Sequence, residues 1–252
     1  MDYKKLLNIV MSIGNEMLVC GAEVSRVEDT ITRIFKAYNA DEINVFTITS
    51  CIITTIKADN EIYTQTKRIF NYKTNLDRLD KLNSLSRYIC RNKPDIPYIE
   101  EQFENIKKSK VYSSFFYCFI YGIIAMSLTA YFGGGILDSI TSGILGVFMY
   151  LLVLKSNYFD ANITFITMII AFIIGTAAVI FVKFNLGSNL DSIVIGNIML
   201  MIPGVAITNS IRDMISGDTM SGLLRFVESI IKATAVTLGF VLATFYLGGI
   251  IL

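Results

Sequence analysis

The chain has 252 residues, a formal net charge of +1 and no histidine, and 53% of its residues are hydrophobic. A mean hydropathy of +0.56 is too high for an ordinary soluble protein, so the composition predicts an integral membrane protein. The absence of histidine excludes Ser-His-Asp and Cys-His catalytic arrangements, and the sequence contains no G-x-x-x-x-G-K-[ST] phosphate loop. We therefore expect a protein that is not an enzyme, that does not use ATP directly, and that has no metal, cofactor or nucleic-acid partner.

Charged residues are concentrated before residue 110. Seventeen of the 22 Lys and Arg residues and 15 of the 21 Asp and Glu residues lie in 1–110. The sequence therefore predicts an N-terminal α+β cytoplasmic domain, 1–110, followed by an all-α transmembrane domain, 111–252. The start of the chain lacks the apolar core of a signal peptide, so we expect the N-terminus to stay in the cytoplasm.

The N-terminal domain is predicted to contain two helices, a small sheet and two more helices. Apolar residues at helical spacing predict the helices, and runs of β-branched residues predict a meander of strands. The predicted helices are 3–19, 22–37, 75–91 and 98–109, with Pro94 and Pro97 interrupting the last two. The predicted strands are 43–49, 51–57 and 61–66.

Five later stretches are long enough to cross a bilayer at roughly 20 residues per span. They lie near 112–132, 136–154, 162–183, 190–210 and 224–248. With the N-terminus inside, only Lys183 among the cations near the spans lies outside, in agreement with the positive-inside rule. The cations placed inside are Lys107, Lys108, Lys110, Lys155, Arg212 and Arg225. An odd number of spans puts the C-terminus, 249–252, on the extracytoplasmic side.

The segment 21–30, GAEVSRVEDT, groups charged residues where a helix is predicted to begin. Glu23 and Arg26 lie one helical turn apart, and Glu28 lies about 160° around the helix from Arg26, an angle of about 100° per residue. A solvated helix N-terminus, with acids near the positive end of the helix dipole, explains much of this pattern. A functional motif that includes Gly21, Glu23, Arg26 and Glu28 is the alternative.

Predicted span four contains Ile202-Pro203-Gly204, which predicts a kink or break in its inner half. Broken helices in transporters present free carbonyl groups and half-helix ends at the substrate site. Asn197, Gly204 and Thr208 share the face that such a break opens. A proline kink satisfied by neighbouring helices remains the alternative.

Ionisable residues within spans are rare without a partner or a water-filled cavity. Asp138, near the start of span two, is either an interfacial cap or a proton carrier. Glu228 and Lys232 are four residues apart on span five and can form a chain of ion pairs with Arg225. They are interface anchors if the span begins late, and functional candidates if it begins at Leu223.

The string GAEVSRVEDTITRIF, followed by strands, and the later string IPGVAITNSIRDMISGDTMSG resemble the threonine/serine exporter family. The resemblance is greatest to its split form, in which a subunit with a soluble domain works with a small all-membrane companion. The family's motif residues map onto Gly21, Glu23, Arg26, Glu28, Pro203, Gly204, Arg212, Asp213, Gly217, Asp218 and Gly222. The resemblance implies secondary export of small amino or carboxylic acids, and an obligate partner, because five spans are half of a full-length member's membrane portion.

We therefore expect a transporter subunit in the cytoplasmic membrane that exports threonine or serine, with succinate as the second candidate, using the proton gradient. Its expected partners are the substrate, membrane lipid, and a companion subunit or second copy. The half-helix end at Pro203-Gly204 is expected to bind the substrate carboxylate, and Arg212, Asp213 and Asp218 to form an inner gate. A membrane-anchored regulatory protein and a channel are the alternative classes, although no filter sequence is apparent.

Overall fold

The computed structural model describes residues 1–70, 72–109, 112–156 and 162–248. Within these ranges the chain is mostly helical and contains one three-stranded sheet. The elements before residue 110 are α1 (Tyr3–Val19), α2 (Val24–Ala37), β1 (Glu42–Ile48), β2 (Cys51–Ala58), β3 (Glu61–Arg68), α3 (Leu76–Asn92) and α4 (Ile96–Lys107). The later elements are α5 (Ser114–Tyr131), α6 (Ile136–Ser156), α7 (Ile163–Lys183), α8 (Leu190–Met201), α9 (Gly204–Ile215), α10 (Thr219–Ala243) and a π-helical turn (Thr244–Gly248).

The backbone contacts divide the chain into two units. Unit 1 comprises Met1–Lys110 and Val205–Val227, and unit 2 comprises Val111–Gly204 and Glu228–Leu252. Nearly all of α9 and the start of α10 therefore belong with the N-terminal elements. The C-terminal residues 249–252, for which the sequence predicts an extracytoplasmic position, lie outside the described residues.

Unit 1 has a core formed by one face of each of its first helices and one face of the sheet. The strands form an antiparallel meander in the order β1-β2-β3, with Val45 opposite Thr54 and Thr55 opposite Thr64. Along β2 every second residue is buried, as expected for a strand with one face on a core. The fully buried core side chains include Leu6, Val10, Ile13, Met17, Val27, Ile31, Ile34, Phe35, Ile52, Ile56, Leu82 and Ile89.

The predicted elements before residue 110 all form, and no end differs by more than two residues. The start of α4 shows the physical reason for one difference. Pro97 lies within the first two positions of the helix, where a missing N–H costs nothing because no intrahelical acceptor is available there. Helix α4 therefore begins at Ile96, one residue before the proline, and not at residue 98.

Unit 2 consists of closely packed helices. On α6, an added Cβ at Gly146 would lie 2.7 Å from the carbonyl oxygen of Tyr121, so α5 and α6 approach at a distance only glycine permits. The buried apolar side chains between its helices include Ala125, Leu145, Met149, Ile174, Ala178, Val236 and Phe240.

Four helical segments in the described part of the chain are long and apolar enough to cross a membrane. They are α5, α6, α7 and the segment Thr219–Tyr246. Helices α8 and α9 raise the number to five if they are the halves of one broken span. The helix predicted to begin near residue 224 begins at Thr219, because Gly217 ends α9 early enough for a new helix to start there.

Candidate functional site

Two glycines of the sequence motifs end helices in the same way. Gly21 and Gly217 have φ values of +98° and +101°, in the left-handed region that glycine adopts at low cost. The following residues close the turn, because Ala22 N–H donates to the Met17 carbonyl and Asp218 N–H to the Asp213 carbonyl, both at 3.0 Å. These are Schellman motifs, and they reverse the chain between α1 and α2 and between α9 and α10.

The Asp213 side chain lies where α9 meets the start of α2. Its Oδ1 accepts a hydrogen bond of 3.1 Å from the Val24 N–H, and its Oδ2 lies 3.3 Å from Nη1 of Arg225. Glu23, the N-cap of α2, makes no capping bond with its own side chain. Asp213 therefore caps α2 from a distant part of the sequence, where the positive end of the helix dipole favours a carboxylate.

Side chains of α9 and α10 also bind the rest of the turn formed by residues 21–24. Nδ2 of Asn209 donates to the Gly21 carbonyl at 2.9 Å, and Nη1 of Arg225 donates to the Ala22 carbonyl at 3.1 Å. Nη1 of Arg212 pairs with Oε1 of Glu23 at 2.5 Å. We call the 21–24 turn, Asn209, Arg212, Asp213 and Arg225 the motif junction, since it joins the two strings that the sequence analysis singled out.

The motif junction depends on the close approach of α9 and α10. A Cβ added at Gly222 would lie 2.6 Å from the carbonyl oxygen of Ser210 and 2.8 Å from the backbone nitrogen of Met214. A glycine at this position lets the backbones approach, and Arg225 then lies one turn further along α10, beside Asp213.

Glu28 connects α2 to the end of β1. Its Oε1 accepts the Thr47 N–H at 2.6 Å, and the Thr47 carbonyl accepts a bond of 3.4 Å from Oγ of Ser221. Burial raises the pKa of Glu28 above its ordinary value, and the negative charge of Asp218 adds to that rise. The backbone of Thr47 is therefore bound both by Glu28 of the N-terminal motif and by Ser221 of α10.

Arg26 lies away from the motif junction. Its side chain is exposed, and among the described residues no Asp or Glu pairs with it within 4.0 Å. It lines a cavity between α2 and α3. The structure therefore brings Gly21 and Glu23 together with Arg212 and Asp213, but it places Arg26 elsewhere.

Unit 2 contains a buried polar cluster around Asn197. Nδ2 of Asn197 donates to Oγ of Ser142 and to the Ile193 carbonyl, both at 2.9 Å, and Oγ1 of Thr129 lies 2.6 Å from the same Ser142 oxygen. Oδ1 of Asn197 is buried and has no hydrogen-bond partner in the described part of the chain. The Ile193 carbonyl can only accept a hydrogen bond, which fixes the orientation of the amide and leaves Oδ1 as an acceptor.

Asp138 has the geometry of a cap. Its Oδ2 accepts the Gly135 N–H at 2.9 Å, and its Oδ1 accepts the N–H groups of Ser188 and Asn189 at 2.5 and 3.1 Å. The first bond is the backward bond of a capping box, and the other two fix the loop before α8. All of these partners are neutral backbone donors.

The break in predicted span four forms at Pro203. Helix α8 ends at Met201, Ile202 has an extended backbone, and α9 begins at Gly204. The structure does not assemble the proposed face of Asn197, Gly204 and Thr208 within one unit. Asn197 is buried in unit 2, whereas Thr208 is exposed on α9 in unit 1.

The expected ion-pair chain along α10 does not form through Glu228 and Lys232. Neither residue takes part in an ion pair within 4.0 Å among the described residues, because Glu228 is exposed and Arg225 is directed to Asp213 and the 21–24 turn. Nor do the described residues contain a group of three or more Cys, Asp or Glu side chains that could hold a metal ion.

Sequence reasoning left several contacting residues out of the expected site. Arg225 was expected only to pair within its own helix, and the hydroxyl groups of Thr129 and Ser142 carried no role. Each of these three residues is a polar or charged side chain in an otherwise apolar helix. Such a side chain needs a partner when it is buried, and this signal could have marked them as contacting residues. Asn209 bears the same signal, in the apolar stretch before Arg212.

Comparisons with known proteins agree with the two sequence motifs. The model of the ThrE family, described as "Putative threonine/serine exporter", matches residues 8–247. A Klebsiella aerogenes protein named "Probable succinate transporter subunit YjjP" is 22% identical over 232 residues, covering 90% of this chain and 88% of that protein. No solved structure gives a significant match. Because the family model covers nearly the whole chain, including both strings of the motif junction, the chain belongs to the ThrE family of threonine/serine exporters.

Proposed function

We propose that this chain is one subunit of a secondary transporter in the cytoplasmic membrane that exports small carboxylate-bearing metabolites, with threonine and serine as its first substrates. The motif junction is the observation that carries this proposal. A protein that used its apolar helices only as an anchor would have no need of a broken helix whose second half binds the N-terminal motif through three side chains. In this proposal the proton gradient drives export.

The length of α8 supports a broken span. Helix α8 has 12 residues, a length of about 18 Å, whereas the hydrocarbon core of a bilayer is about 30 Å thick. Helix α9 begins three residues after α8 ends and reaches the motif junction through Asn209, Arg212 and Asp213. The N-terminal end of α9 is our candidate for binding the substrate carboxylate, since the first N–H groups of a helix and its dipole favour an anion.

The motif junction is our candidate for the inner gate. Arg212 and Glu23 form its exposed pair, with 59% and 17% of their side chains accessible, whereas Asp213 and Arg225 form its buried pair. An exposed pair contributes little to stability and is easily broken, so it suits a contact that opens and closes. The buried pair is costly to separate and holds α9 and α10 to the turn throughout.

The polar cluster in unit 2 favours an amino acid over succinate. Oδ1 of Asn197 is an acceptor, and it needs a donor. Threonine and serine carry an ammonium group that donates hydrogen bonds, whereas ionised succinate has only acceptors. Succinate remains the second candidate because the Klebsiella aerogenes relative is named as a succinate transporter subunit.

The number of spans supports an obligate partner. The described part of the chain has four to five candidate spans, fewer than an alternating-access core built from two repeats of five requires. The relative's name describes it as a subunit. A small all-membrane companion that supplies the second set of helices completes the core, and a second copy of this chain is the other arrangement.

The orientation we propose has the N-terminal elements in the cytoplasm. Residues 205–227 form one unit with those elements, so the same side of the membrane holds Arg212 and Arg225 as well as Lys107 and Lys108. This distribution satisfies the positive-inside rule. The cytoplasmic domain then regulates substrate entry through the motif junction.

The deciding experiment is efflux of labelled threonine, serine and succinate from preloaded cells that express this chain with and without the small companion. We expect threonine and serine efflux only with both proteins, and its collapse on addition of a protonophore. Efflux that survives the protonophore would favour a channel. If none of the three substrates leaves the cell although the protein is in the membrane, the regulatory class replaces the transporter.

A further inference from the structure

A polar cavity lies between α2 and α3 and shares no residue with the motif junction. Its volume is about 380 Å³, within the range of about 300–1,000 Å³ typical of small-molecule sites. It is lined by Arg26, Asp29, Thr30, Arg33, Asn83, Ser86, Arg87, Cys90 and Arg91. No function assigned above uses this cavity.

The spacing of the lining residues shows that two helical faces build the cavity. Arg26 and Arg33 are seven residues apart on α2, and Asn83 and Cys90 are seven apart on α3, with the other lining positions of each helix between them or one residue beyond. Residues at intervals of three, four and seven share one face of a helix. Thr30 and Ser86 also line the cavity, and both residues are at least nine-tenths buried.

The charge of the cavity is strongly unbalanced. It holds four guanidinium groups and one carboxylate, and that carboxylate, Asp29, already binds Nε of Arg33 with both oxygens at 2.8 and 2.7 Å. Among the described residues, no Asp or Glu lies within 4.0 Å of a nitrogen of Arg26, Arg87 or Arg91. The four arginine side chains are exposed and keep their charge at neutral pH, so the cavity offers an entering anion a permanent excess of positive charge.

We propose that this cavity binds the phosphate group of a small anionic effector. A phosphate carries about two negative charges and three strong acceptor oxygens, and guanidinium forks bind it through paired hydrogen bonds. The lining contains no large apolar or aromatic side chain, so the phosphate group, and not an apolar body attached to it, is what the cavity recognises. The source of the group is a soluble phosphate compound or a lipid headgroup.

Helix α2 gives the proposed site a route to the motif junction. The cavity uses Arg26 and Arg33 of α2, and Asp213 caps the first turn of the same helix at Val24. An anion held between α2 and α3 fixes α2, and thereby the turn to which α9 binds. The proposed site stands on its own geometry and does not depend on the proposed export function.

The test measures binding of inorganic pyrophosphate to the purified full chain in an uncharged detergent, by calorimetry at constant ionic strength. A second arm measures binding of the full chain to phosphatidylglycerol vesicles. We expect binding in at least one arm, and at least about tenfold weaker binding by the double variant Arg87→Ala with Arg91→Ala, since that variant removes two guanidinium groups that can donate charge-assisted hydrogen bonds to the phosphate. The arm in which binding occurs identifies the source of the phosphate.

Two controls keep the result interpretable. Arg68→Ala removes an equally exposed arginine on β3, outside the cavity, and should bind like the unmodified chain. Arg87→Lys keeps the charge but loses the planar fork, and should bind more weakly than the unmodified chain while keeping its fold. Absence of binding in both arms, or equal losses for the cavity variant and Arg68→Ala, would overturn the proposal.

Discussion

Val24 and Asp213 are 189 positions apart in the sequence, yet the Asp213 carboxylate accepts the Val24 N–H at 3.1 Å. Helix α2 therefore takes its N-terminal cap from α9. Because Asp213 is fully buried and also faces Arg225, the cap and the ion pair depend on one carboxylate. Loss of that carboxylate affects both.

The first prediction concerns this carboxylate. Asp213→Asn keeps the shape of the side chain but removes the negative charge that faces the buried Arg225 guanidinium, which costs on the order of 3 kcal/mol. We expect faster amide hydrogen exchange at Val24 and a lower melting temperature. Asp80→Asn, at an exposed residue outside the motif junction, serves as the control and should change neither. Adding Arg225→Met to Asp213→Asn should recover part of the loss, and no recovery would mean that the buried charge is not its cause.

The second prediction separates gating from stability at the Arg212–Glu23 pair. Each single reversal, Arg212→Glu or Glu23→Arg, places like charges together and should reduce efflux at least about tenfold, while the melting temperature changes little because exposed pairs contribute about 0–1 kcal/mol. Together the two reversals restore an attractive pair and should restore efflux. Arg212→Ala should abolish efflux without loss of folded protein, and normal efflux by this variant would remove the gate from the proposal.

A third prediction follows from the raised pKa of Glu28. The folded state favours the protonated carboxyl, so its stabilising contribution is complete below the ordinary value of 4.5 and is lost as the pH rises through the higher folded pKa. Relative to Glu28→Gln, which stays neutral, the unmodified chain should lose melting temperature over that pH window. Glu101→Gln, at an exposed site on α4, is the control. A difference that stays constant with pH would show that Glu28 has the same pKa in the folded and unfolded states.

The polar cluster of unit 2 gives a fourth prediction, on substrate choice. Asn197→Leu keeps the branched shape of the side chain but removes the orphan acceptor, together with the amide donor that binds Ser142 and the Ile193 carbonyl. If Oδ1 receives the substrate's ammonium group, the ratio of threonine to succinate efflux should fall about tenfold, the usual effect of one lost polar contact of 1–2 kcal/mol. Ser142→Ala leaves Oδ1 in place and should preserve the ratio. An equal loss of both substrates in Asn197→Leu would assign Asn197 to packing.

The fifth prediction uses two glycines of α9 and α10. Gly222→Ala places a Cβ 2.6 Å from the Ser210 carbonyl oxygen, so the helices must separate, at a cost of about 1–3 kcal/mol. Gly204→Ala meets no atom within 4 Å and is the matched control for stability. The melting temperature should fall for Gly222→Ala and stay unchanged or rise for Gly204→Ala. Equal effects would show that the close approach at Gly222 is dispensable.

Local pattern was enough to predict most of the secondary structure. The apolar stripes of α1 and α2 and the β-branched runs of the sheet each reflect one buried face, and Pro203 breaks a helix because it lacks an N–H and clashes with the preceding turn. The motif junction could not be predicted in this way. Asp213 and Val24 carry no periodic signal for each other, since contacts between distant residues depend on how the whole chain packs.

The ion pair of Arg225 is a second contact that local sequence pattern did not predict. Local spacing favoured a pairing of Arg225 with Glu228, one turn away on the same helix. The fold instead offers Arg225 a buried carboxylate on α9 and a carbonyl in the 21–24 turn, and the hydrogen bonds to both offset the cost of burying its charge. Family resemblance marked Glu23 and Arg212 as motif residues but did not indicate that they pair with each other.

Unit 1 is discontinuous in the sequence, and this has a consequence for biosynthesis. Its last segment, 205–227, is translated only after α5 to α8 have been made. Until the ribosome has released that segment, α2 lacks its cap at Val24 and the 21–24 turn lacks the donors of Asn209 and Arg225. The N-terminal elements therefore cannot complete their fold until α5 to α8 and the segment 205–227 have been synthesised.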